Sequence, residues 1–144
     1  MADEDRFGLQ RFVTAQAPVL ATAMRELAEG TKRSHWMWFV FPQLAGLGTS
    51  PMARRYAISG EAEARAYLAH PVLGPRLLDC TRLVNAVQGR SAGEIFGYPD
   101  DLKFRSSMTL FHLADPGVPE FHEALARFFH GEGDPLTLRK LAAF

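Results

Sequence analysis

Alanine and leucine fill 37 positions of this 144-residue chain, whereas valine and isoleucine together fill nine. β-Branched residues suit the pleated surface of a strand and Ala and Leu suit a helix, so the imbalance weighs against any large sheet. The chain is expected to be all-α, folding as one domain over residues 5–144. With 47% hydrophobic and 22% charged residues, a domain of this size can bury its own core.

The spacing of apolar residues predicts a compact array of about seven helices. Leu9, Phe12, Val13, Leu20, Met24 and Leu27 fall three, four or seven apart, with Gln16 as a polar interruption. Pro18 divides this run, giving helices at about 8–16 and 18–29, the second stopped by Gly30. Further helices are expected over 61–70, 75–88, 118–129 and 134–141, with a short helix at 51–56 and an extended stretch at 57–59. Ser34 is placed to cap one helical turn that Pro42 ends, and Ser91 with Glu94 has the spacing of a capping box. The run 100–113 mixes periods of 3.6 and 2; a helix is favoured and a strand remains open.

Sixteen Lys and Arg balance sixteen Asp and Glu, so no overall field draws the protein to nucleic acid or to an anionic membrane, and neither is expected as a partner. Residues 1–6 lack the apolar core of an export signal. The longest strongly apolar run, Trp36 to Pro42, falls far short of the roughly 20 residues that span a bilayer. A single cysteine, Cys80, excludes an intrachain disulfide and fits a reducing cytoplasm. No metal and no cofactor are expected: the chain has no HExxH pair, EF-hand loop, P-loop, dinucleotide-binding glycine loop after a strand, or GxSxG elbow.

Charge is uneven locally. From Gly30 to Gly60 there is no acid but four bases, Lys32, Arg33, Arg54 and Arg55, interleaved with Trp36, Trp38 and Phe41. Rings can stack on a base and cations can hold phosphate, although rings also fill cores. His35, between the bases and the rings, has the chemistry of a general base or a hydrogen-bond donor. Gly46 to Ser50, GLGTS, offers amides that could cradle a phosphate or simply turn the chain. A second polar concentration holds Asp100, Asp101, Lys103, Ser106 and Ser107, where the acids equally suit a helix N-terminus.

The stretches GTKRSHWMWFVFPQLAGLGTSPMARRYAI, EAEARAYLAHPVLGPRLLDC and SAGEIFGYPDDLKFRSSMTLF resemble an uncharacterised bacterial family, a domain of unknown function sometimes labelled calpastatin-like, over roughly Phe12 to Phe111. The resemblance implies a small, mostly helical single domain and supplies no reaction. A looser likeness, to the helical ADP-ribose glycosidases of the NADAR group, is one of fold, because the chain lacks their acidic motif.

Two functions follow as expectations. In the first, a phosphorylated or nucleotide-like small molecule binds between segments 32–56 and 96–109. Lys32, Arg33 and Arg54 would hold phosphate, Trp36 or Trp38 would stack, and Lys103 would line the polar wall. His35, Asp100 and Ser107 would be the catalytic candidates if a reaction occurs. In the second, Trp36, Trp38 and Phe41 form an exposed patch for protein interaction or oligomerisation.

Overall fold

The structure, a computed structural model, describes residues 5–142. Among them are ten helices: α1 (Gln10–Gln16), α2 (Leu20–Glu29), α3 (Met37–Val40), α4 (Pro51–Arg55), α5 (Glu61–Ala69), α6 (Leu73–Ala86), α7 (Ala92–Phe96), α8 (Asp100–Ala114), α9 (Pro119–Phe129) and α10 (Pro135–Ala142). The all-α expectation holds; the excess over about seven lies in α3, α4 and α7, which are only four or five residues long. The one strand-like feature among the described residues is a parallel bridge between Leu44 and Ile58, of which only Ile58 lies in the stretch expected to be extended.

Local chemistry accounts for most boundaries. Gly30 takes φ 76° and ends α2, a left-handed conformation that costs glycine least. Ser50 accepts from Ala53 N–H at the start of α4. Ser91 and Glu94 form the full capping box at α7. Ser34 does not cap α3, because its hydroxyl donates instead to Glu26 and α3 begins only after Trp36. The run 100–113 is a helix: α8 is buried from Ser106 to Phe111, which explains why its apolar residues are not confined to one stripe.

The α8 helix is the axis of the molecule, packed against α5, α7, α9 and α10. Phe104 meets Phe41 edge-on at 5.0 Å and stacks on Phe96 at 4.7 Å. Phe111 contacts Tyr67 on α5 and Phe121 on α9. Trp36 and Phe41 are both fully buried in this core. The exposed patch expected from Trp36, Trp38 and Phe41 therefore does not exist: two of its three rings fill the interior, and only Trp38 keeps partial exposure. Cys80 is also buried, and burial pushes its thiol up to about 12, where it is inert.

Two polar residues tie α1 to the core. Gln16 donates to Phe39 O and to the Tyr67 hydroxyl. Arg11 reaches the carbonyls of Arg55 and Ala57 and the buried carboxylate of Glu63.

Candidate functional site

The site is assembled around Glu26, a carboxylate 4% exposed on α2. After Gly30 reverses the chain, residues 33–36 fold back over this group. Glu26 accepts from Arg33 N–H at 2.9 Å, Ser34 N–H at 3.0 Å, the Ser34 hydroxyl and the Trp36 indole N–H at 2.9 Å. Burial works against its charged form, but hydrogen bonds from Ser34, Arg33 and Trp36 outweigh it and hold the carboxyl at about 2. Trp36 is thus a structural ring, and the stacking role expected for it falls away.

Lys32 is fixed by this turn. Its backbone N–H donates to Ile95 O at 2.7 Å and its ammonium to Ser34 O at 2.6 Å, and it lies over the Trp36 ring. The same ammonium pairs with Asp100 at 2.9 Å, at the first turn of α8. Asp100 has a second cation: Lys103, one turn on, stands 3.6 Å from its other oxygen. Lys103 also lies over Trp38, 5.8 Å from the ring. One carboxylate therefore serves two ammonium groups. The inner lysine is nearly enclosed, with 7% of its side chain exposed, whereas Lys103 keeps 28%.

Beside Lys103 opens a pocket of about 340 Å³ lined by Gln43, Leu47, Pro99, Leu102, Lys103, Ser106, Asp134 and Leu136. Gln43 and Leu47 come from the segment after α3, the next four from α8 and its approach, and Asp134 and Leu136 from the start of α10. The walls are mainly apolar. Lys103 supplies the cation; Asp134 is committed at the N-terminus of α10, accepting from Thr137 N–H and hydroxyl. Ser106 donates back to Leu102 O at 3.1 Å.

The remaining expected residues lie apart from this cluster. Arg33 is exposed and pairs with Glu29 at 2.6 Å. Arg54 is exposed on α4, and His35 is exposed one residue before Trp36. Ser107 is fully buried and its hydroxyl finds no hydrogen-bond partner among the described residues; on α8, Ser106 takes the pocket-facing place expected of it. The Ser50 hydroxyl is used as a helix cap, and Lys140 crowds Gly46, so GLGTS serves as a turn. The structure brings together Lys32, Trp38, Asp100 and Lys103, and does not bring His35, Arg54 and Ser107 to them. Glu26 was not foreseen, since nothing in the spacing of a lone acid on a helix shows that a later turn will wrap it. Leu136 and Asp134 were missed because α10 lies far away in sequence.

The sequence pattern of DUF1810, described as a protein of unknown function, matches residues 6–141. The chain belongs to the DUF1810 family. One solved structure, the conserved hypothetical protein Rv1873 from Mycobacterium tuberculosis at 1.38 Å, is 59% identical to it. The TM-score is 0.95, covering 96% of this chain and 99% of that one. No curated protein matches. The DUF1810 description carries no calpastatin activity, so that label adds nothing to the chemistry. Among the described residues no helix is long and apolar enough to cross a membrane.

Proposed function

We propose that this DUF1810 protein binds a small organic anion in the pocket beside Lys103: a planar or apolar body bearing one phosphate or carboxylate, of which a mononucleotide is an example. The observation that carries this reading is the sharing of Asp100 by Lys32 at 2.9 Å and Lys103 at 3.6 Å. One carboxylate shared by two ammonium groups leaves the outer one only partly neutralised by Asp100, in an apolar pocket where solvent screening is reduced; the other acid of the lining, Asp134, is held at the start of α10 through one oxygen by Thr137. An anionic group would complete that balance, with the ligand body against Leu47, Leu102 and Leu136. Trp38, already under Lys103, would hold the lysine in place. Arg33, Arg54, His35, Ser107 and Trp36 have no part in this reading, and no reaction is assigned. A lone buried Cys80 suits a reducing compartment, and it supports placing the protein in the cytoplasm.

The test is thermal unfolding of the untagged chain with millimolar AMP, ADP-ribose or glucose 6-phosphate. A ligand present at 100 times its Kd stabilises by about 2.7 kcal/mol, which raises Tm by about 5–11 °C for a domain of this length. Lys103→Met abolishes the rise and Arg54→Ala preserves it. No change in Tm with any of the three sinks the proposal.

A second reading has its own observation. Tyr98 is 83% exposed, and Leu102 and Leu136 flank the same pocket at 44% and 51%. Leu102 and Leu136 line one pocket and Tyr98 precedes its lining residue Pro99 in the chain; large exposed apolar side chains suit a protein partner. A solution mass that exceeds the monomer, and returns to it in Tyr98→Ser, supports this reading; a monomer at all concentrations removes the self-association form of it.

A further inference from the structure

The hairpin of α8 and α9 brings together two histidines that lie ten residues apart in sequence. His112, near the C-terminal end of α8, faces His122, in the second turn of α9, with ring centroids 5.3 Å apart and planes inclined by 36°. The register is set from inside: Phe111 and Phe121, the residues just before each histidine, are fully buried and in contact at 5.8 Å. The two imidazoles are therefore held by a packed core pair and not by mobile loops, the arrangement that lets a chelating pair be preorganised.

The His112 Nδ1 atom is buried without a hydrogen-bond partner. The His112 ring is partly exposed and its neighbour His122 is exposed, so solvent and ions reach the pair. Among the described residues neither ring shows a carboxylate or carbonyl partner, and the two rings are tilted and not stacked face to face. An ion bound by both nitrogens at about 2.0–2.1 Å, with a tetrahedral angle between them, would hold the centroids about 5.2 Å apart. The observed separation fits that spacing.

We propose that His112 and His122 form a two-imidazole site for a divalent transition-metal ion of the zinc, nickel or copper class, with water completing its coordination. No cluster of three or more His, Cys, Asp or Glu side chains suited to a metal occurs among the described residues, so the site is open, of modest affinity, and selective for nitrogen-preferring ions over Mg²⁺. Because the ligands come from two helices, the bound ion ties α9 to α8 and stabilises the folded chain by linkage. The absence of metal motifs in the sequence does not bear on it, since the pairing arises from the hairpin and not from spacing along one helix.

The experiment uses the untagged full chain, stripped with EDTA and dialysed. Isothermal titration with Zn²⁺ and with Ni²⁺ is expected to give one ion per chain, and 100 µM of either to raise Tm by several degrees, with no response to Mg²⁺. His122→Ala, a change on the surface, should leave the metal-free Tm within about 2 °C, weaken binding at least tenfold and remove the rise. His130→Ala should keep both. Absence of binding in the parent chain, or binding undiminished in His122→Ala, overturns the assignment.

Discussion

Glu26 shows how much one side chain can decide. Its four hydrogen bonds shape the turn on which Lys32 stands, and they keep it ionised although it is buried. Glu26→Gln removes the charge and places an amide N–H₂ among donors, a change expected to cost about 3 kcal/mol in chemical denaturation at neutral pH. The pH dependence follows from the depressed pKa. The stabilisation from this group is complete above its ordinary value of 4.5, and is lost as pH falls toward about 2. The gap between parent and Glu26→Gln should therefore narrow from pH 6 to pH 2.5; a constant gap contradicts the assignment. Ser107 makes the opposite case. Its hydroxyl is buried without a partner among the described residues, so Ser107→Ala should leave stability equal or raise it by up to about 1 kcal/mol, with the pocket's ligand response unchanged. A loss of that response would restore Ser107 to the site.

At the scale of elements, the sequence was most legible where one helix face does one job. The α2 and α9 helices show clear apolar stripes, and glycines, prolines and the Ser91–Glu94 box mark several ends. Two kinds of feature were not fully legible. Rings and bases alternate around Trp36 and Phe41 as they would in a binding surface, yet Phe41 is covered by Phe96 and Phe104 from distant parts of the chain, and Trp36 packs beside Phe41 with its indole N–H on Glu26. The pocket was only partly legible: Gln43, Leu47, Pro99, Leu102, Lys103 and Ser106 fall within the two segments named from the sequence, 32–56 and 96–109, whereas Asp134 and Leu136 come from the start of α10. Close contacts between elements also depend on details no periodicity reveals. A Cβ at Gly74 would stand 2.2 Å from Leu68 O, where α6 follows α5. Gly74→Ala is thus expected to destabilise the fold by about 2–3 kcal/mol despite its favourable helix propensity, measurable as a lower urea midpoint at unchanged slope. A neutral or stabilising result would mean that the two helices separate freely.

For the whole molecule, composition settled the class. A chain with so few β-branched residues built its core from helices and aromatic rings, and the conserved hypothetical protein Rv1873 shares that fold along nearly its full length. The balanced net charge excluded a global electrostatic role and left local charge as the place to look, which is where Lys32, Asp100 and Lys103 converge. Two of the three catalytic candidates, His35 and Ser107, did not join them: His35 lies exposed in the turn before α3, and Ser107 is on the buried side of α8, which sequence proximity to a polar cluster does not reveal. The central claim, that the pocket beside Lys103 receives an organic anion, is tested most directly by amide chemical-shift mapping of the isotope-labelled chain titrated with AMP. The account predicts saturable shifts at Gln43, Leu47, Leu102, Lys103 and Leu136, lost in Lys103→Met. Shifts confined to the surroundings of Arg54 and His35, or no shifts at 5 mM AMP, ADP-ribose and glucose 6-phosphate alike, would contradict it.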